Sequence, residues 1–188
     1  MGQVYDEITP RLQVFIAAQH LFFVASAPDG PDGHVNLSPK GIDGMLRVID
    51  ERTVAYLDIT ASGAETIAHL RQNGRVTLMF CSFDRTPKIL RLYGRGRFVG
   101  RADPEFATWA PLFPDTVTAR AVIVVDVTRV ADSCGCGVPL MEFTAEREML
   151  VPYQERRGEA GLAAYRVAKN RVSIDGLPAY DADPVDVT

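Results

Sequence analysis

The fold class predicted by this sequence is mainly β with peripheral helices (α+β), an antiparallel sheet closed or nearly closed into a small barrel. Three observations predict it. About six segments carry strand patterns. Most are joined by short turns, which favours antiparallel pairing over the long crossovers that parallel strands need. One helix pattern is inserted after the third strand, an arrangement that suits a small barrel, with a β-sandwich as the alternative. At 188 residues the chain suits one domain with a sizeable core, and no internal repeat is visible.

In chain order, residues 5–19 read as a helix, because Ile8, Leu12, Phe15, Ile16 and Gln19 recur at three- and four-residue spacing. Leu21 to Ala27, rich in Phe and Val, reads as a buried strand. The turn from Pro28 to Gly33 must end it. His34 to Ser38 reads as the returning strand of a hairpin. Thr53 to Ile59 alternates Val54, Tyr56 and Asp58 against Ala55, Leu57 and Ile59, a strand pattern. Ser62 and Glu65 have capping-box spacing, so a helix is expected from there to about Gln72, stopped by Asn73-Gly74. Arg75 to Phe83 and Ile89 to Val99 are the next strands. The second places Leu90, Leu92 and Phe98 on one face and Arg91, Tyr93, Arg95 and Arg97 on the other. Asp103 to Trp109 reads as a short helix and Ala121 to Val130 as a β-branched strand. Thr144 to about Lys169 reads as mostly helical, broken near Pro152 and Gly158, and the tail from Ser173 is irregular, its last residues mobile. Residues 1–140 therefore form the barrel, and 141–188 a helical extension and tail packed on the same domain.

Composition removes several function classes. Hydrophobic residues make up 47% and charged residues 23%, as in soluble globular proteins, and the net charge of −4 argues against general nucleic-acid binding. No apolar run reaches the roughly 18 residues of a membrane helix, and acidic residues precede the first apolar stretch, unlike a signal peptide. A cytoplasmic location is expected. Three cysteines, Cys81, Cys134 and Cys136, give no disulfide framework, and Cys134-Gly-Cys136 has no second ligand pair for zinc. No metal site is expected. No Ser-His-Asp arrangement stands out, so redox chemistry would have to come from a cofactor, with side chains binding and tuning it.

Three segments carry candidate chemistry. His34 to Gly41 ends a strand with Ser38, Pro39 and Lys40, and a lysine there suits a phosphate as a point charge. A solvated lysine at a strand end is the plainer reading. Leu57 to Thr66 sets hydroxyls and Gly63 at a helix N-terminus, which favours anions, although Ser62 and Glu65 would serve equally as caps. The face carrying Arg91, Arg95 and Arg97 reads either as a solvent face or as a partner for acidic groups. Gly94-Arg-Gly96 is not followed by a helix and is no dinucleotide fingerprint.

The order of these segments resembles the pyridoxamine 5'-phosphate oxidase-like flavoproteins. A strand, VNLSPKG (35–41), AYLDIT (55–60), the helix with AETIAHL (64–70) and LRLYGRGRFV (90–99) follow one another over roughly residues 5–135, and SIDGLP (173–178) resembles the closing segment of one branch. The resemblance implies a six-stranded antiparallel split β-barrel that binds FMN at a homodimer interface. By position it implies that Val35, Asn36, Leu37 and Ser38 line the flavin ring, and that Lys40 approaches the ring edge or the phosphate. It implies that Asp58, Ile59, Thr60, Ser62 and Gly63 lie near the ribityl chain and phosphate, and that the Cys134 to Val138 turn reaches the flavin from the partner subunit. No catalytic acid or base follows from it. Two departures matter. The oxidases carry basic residues at the helix start, where this chain has Ser62, Gly63, Ala64 and Glu65. Their C-terminal substrate segment is replaced by a helix with Arg156, Arg157, Arg166 and Lys169.

The implied function is an FMN-dependent oxidoreductase acting on a small molecule, with a small-molecule substrate or electron donor as partner. Two alternatives share the fold. One is an F420-dependent reductase, whose longer acidic cofactor tail the Arg91, Arg95, Arg97 face would suit. The other is a non-catalytic carrier of flavin or haem serving storage, sensing or stress. A further reading has no cofactor: a small barrel binding an apolar ligand or a protein.

Overall fold

The computed structural model describes residues 2–114 and 118–181. Eight strands form one antiparallel sheet: β1 (Val4–Tyr5), β2 (Phe22–Ser26), β3 (Asn36–Lys40), β4 (Leu46–Val48), β5 (Thr53–Ile59), β6 (Arg75–Cys81), β7 (Ile89–Gly100) and β8 (Ala119–Ser133). Their order is β3-β2-β6-β7-β8-β5-β4, with β1 added to β8. The helices are α1 (Pro10–Ala17), α2 (Glu65–Gln72), α3 (Phe106–Trp109), α4 (Leu150–Glu155) and α5 (Gly158–Lys169), with one 3-10 turn at Ala110–Leu112.

The sheet curls so that its ends meet without pairing. Lys40 on β3 lies 3.5 Å from Asp58 on β5, and the Phe22 ring meets the Tyr56 ring edge-on at 5.7 Å. β4 pairs only with residues 54–56 of β5, so the end of β5 has no ladder neighbour on that side. This seam is the split in the barrel. The interior is filled by Val24, Leu78, Leu90, Leu92, Val54, Tyr56 and Ile123, closed by Leu12 and Ile16 of α1 and Ile67 of α2. The opposite sheet face packs Leu57, Val99, Val122 and Val124 on Met45 and Phe113. The first half of β8, residues 119–125, is thus buried on both faces, which is why residues 121–125 are a continuous apolar run.

The mainly β class and split-barrel form hold, with eight strands among the described residues where six are expected. The two additions, β1 and β4, span two and three residues, too few to display alternation. β1 takes the start of the segment read as a helix over 5–19. Val4 and Tyr5 pair with Ala131 and Val130, and the helix begins at Pro10, where Thr9 caps it by accepting from the Leu12 N–H. The returning hairpin strand spans 36–40 rather than 34–38. The capping box does not form. Ala64 occupies the N-cap position without a side-chain bond, and Glu65 instead accepts from the Ile174 N–H at 3.1 Å.

The expected helix from Thr144 begins only at Leu150, and residues before it form a strap. The Met141 N–H donates to the Phe83 carbonyl, the Phe143 ring stacks on His20 at 3.8 Å, and Glu146 accepts from the Asp43 N–H. The last residues, read as mobile, lie from 182 onward outside the described residues. No described helix is long and apolar enough to cross a membrane.

Candidate functional site

Period-two geometry divides β3 into two faces. Asn36, Ser38 and Lys40 turn one way: Asn36 Nδ2 donates to Thr66 Oγ1 of α2, Ser38 Oγ donates to Asn36 Oδ1, and Lys40 Nζ donates to Asp58. Val35 and Leu37 are strongly exposed, at 73% and 62%. The residues read as one group lining a ring therefore split, with the polar members facing the seam's partners. At the end of β3 the seam opens into a cavity of about 220 Å³. It is lined by Pro39, Lys40, Ile59, Ala61, Ser62 and Arg120, among others. A second cavity of about 360 Å³ shares Phe22, Lys40, Gly41 and Ile42 with it.

Asp58 is buried beneath this cleft. Arg120 Nε donates to it at 2.6 Å, and Lys40 approaches its other oxygen. Burial alone would push this carboxyl up, but the Arg120 guanidinium, and then the Lys40 ammonium, hold it below the ordinary carboxylate range. Two cations and one carboxylate leave the cleft one positive charge in excess. Sequence reasoning misses Arg120. The available signal is an arginine directly before the apolar run 121–125, since a charge buried with such a run requires a partner.

The loop between β5 and α2 carries Thr60, Ser62 and Gly63. Gly63 has φ +76°, a left-handed conformation suited to glycine. Thr60 is buried, whereas Ser62 and Gly63 are exposed. Three carbonyls of this loop are held by side chains. Gln154 Nε2 donates to the Thr60 carbonyl. Asn170 Nδ2 donates to the Ala61 carbonyl at 2.9 Å and Arg120 Nη1 to that of Gly63 at 2.7 Å. Among the described residues, the Ser62, Gly63 and Ala64 N–H groups donate to no acceptor. Lys40, Arg120 and Ser62, with its free N–H, line the cleft and offer the donor types that a phosphate monoester requires, so the residues fit the phosphate end of FMN.

The other candidates lie elsewhere. Arg91 donates to Ser133 Oγ, Arg95 to the Asn73 carbonyl and Arg97 to Glu105 at 2.8 Å, and none of the three lines the cleft. Cys134 and Cys136 are exposed on a turn closed by the Val138 N–H on the Gly135 carbonyl. The SIDGLP segment clasps the chain just before β3: Asp175 accepts from the His34 N–H at 2.9 Å and contacts its Nδ1 at 2.6 Å.

The family model described as pyridoxamine 5'-phosphate oxidase matches residues 8–134. The chain belongs to this family. A pyridoxamine 5'-phosphate oxidase family protein, ustO of Aspergillus flavus, is 42% identical over 192 aligned positions, covering 93% of this chain and 76% of that protein. Among solved structures, HupZ of Group A Streptococcus superposes in two forms. A single-residue variant of it has a TM-score of 0.53 at 23% identity, covering 67% of this chain and 99% of that one. A second HupZ structure has a TM-score of 0.51 at 24% identity, covering 65% and 91%. At that identity these structures establish the shared fold.

Proposed function

We propose that this member of the pyridoxamine 5'-phosphate oxidase family binds FMN along the seam between β3 and β5 and acts as an oxidoreductase on a small organic molecule. The observation that carries the proposal is the convergence of Lys40, Arg120 and Ser62, whose N–H has no acceptor, on one cleft. Bound FMN would supply hydride transfer, and the protein would supply binding, orientation and tuning. Lys40 and Arg120 would neutralise the phosphate. Asn36 and Ser38 offer an amide and a hydroxyl for ring heteroatoms. Asp58, tied to both cations, fixes their positions and limits the excess charge.

A homodimer belongs to the same proposal. Val35 and Leu37 are apolar side chains left exposed beside the seam, and a second copy would cover them and narrow a wide cleft. The geometry favours FMN over F420, because the arginine face that would suit an acidic tail is engaged with its own chain.

The test is the visible spectrum of the purified protein followed by FMN titration with fluorescence read-out. Tight uptake with quenching is expected, and the double variant Lys40→Ala, Ser62→Ala should raise the Kd at least about tenfold, the loss of about one charge-assisted hydrogen bond. Unchanged FMN affinity in that variant would reject the placement.

A further inference from the structure

The extension after the barrel reaches back to the β5–α2 loop. Gln154 of α4 donates to the Thr60 carbonyl. Arg166 of α5, fully buried, donates from Nη1 to Thr60 Oγ1 at 3.1 Å. Asn170, at the end of α5 and also fully buried, spans two carbonyls, 2.9 Å from that of Ala61 and 3.3 Å from that of Gly63. The extension thus holds acceptors of Thr60, Ala61 and Gly63, within one four-residue stretch.

Peptide planarity gives the anchoring a consequence. In a trans peptide the C=O and the following N–H point in opposite directions. Together with Arg120, whose Nη1 donates to the Gly63 carbonyl at 2.7 Å, these bonds fix the carbonyls of Thr60, Ala61 and Gly63, and so fix the directions of the Ala61, Ser62 and Ala64 N–H groups. Gly63 at φ +76° permits the reversal of the chain between them. A loop of this kind, left to itself, would interconvert among conformations that present carbonyls and N–H groups alike. An anion is bound only by the second set.

We infer that Gln154, Arg166 and Asn170 are positioning residues for a phosphate-binding loop, so that the C-terminal extension, whose Leu150 also lines the cleft, belongs to the cofactor site. The inference rests on the FMN reading above. It also accounts for a helix start that has no basic side chains: the loop relies on aligned N–H groups, and the extension aligns them.

FMN and riboflavin separate this role from a merely structural one, because riboflavin has the ring and ribityl chain but no phosphate. Asn170→Ala is expected to raise the Kd for FMN about tenfold and to leave the Kd for riboflavin within about twofold of the wild type. Gln154→Ala, at the other end of the anchor, should act in the same direction and serves if the Asn170 variant does not fold. Equal weakening of FMN and riboflavin, or no change in either, would overturn the inference while leaving the FMN reading intact. Absence of FMN binding by the wild-type chain would overturn both.

Discussion

Asp58, Arg120 and Lys40 show how one buried carboxylate organises a site. Asp58→Ala leaves Arg120 buried without its partner, and a loss of about 3–5 kcal/mol is expected from denaturant unfolding. The pH dependence has a definite sign. The Asp58 pKa is lower folded than unfolded, so the pair stabilises the protein above the unfolded carboxylate pKa. That contribution disappears as pH falls through the folded value. Denaturation midpoints measured below about pH 4 should therefore fall more steeply in the wild type than in Asp58→Asn. Gly63→Ala tests the loop: at φ +76° a side chain is strained, and a cost of about 1–2 kcal/mol is expected in the same assay. At this scale the sequence is partly legible. Lys40 is legible as a strand end, and Ser62 and Gly63 as residues just before a helix. Arg120 stands out only as a charge beside an apolar run, and neither it nor Asn170 can be matched to a partner from the sequence, because those partners lie 62 and 109 positions away.

Among the elements, those with strong periodicity are readable and those defined by pairing are not. β5, β6, β7 and β8 alternate or run apolar over seven residues or more, and the pattern locates each within a few residues. β1 and β4 exist only because β8 and β5 offer them edges. The capping box fails for a tertiary reason, since Ile174 competes for the Glu65 carboxylate. Two measurements address elements. Thr9→Ala removes the side-chain cap of α1 and should cost about 1 kcal/mol of stability. The clasp between His34 and Asp175 raises the His34 pKa through the direct hydrogen bond and lowers that of Asp175 in return. Asp175→Asn should accordingly bring the His34 titration down towards the ordinary histidine value, as read from its imidazole NMR shifts.

For the molecule as a whole, turn lengths make an antiparallel sheet legible, and the order of segments makes the split barrel legible. The long-range order that places β8 between β7 and β5 is carried by the family resemblance, not by any local pattern. The proposed homodimer is a prediction at this scale. Sedimentation should give twice the chain mass, and Leu37→Asp, which puts a charge on the exposed apolar face of β3, should shift it towards the single chain. The makeup of β3 also restricts how any two copies can meet. It is the terminal strand of the sheet, paired only with β2, and Pro39 lies within its five residues. Proline has no amide hydrogen and is accommodated in a sheet where its nitrogen faces outward, so a strand laid against this rim would find a gap in the row of donors. Copies of the chain are thereby steered to associate through side chains, and the open rim is protected from templating a fibril.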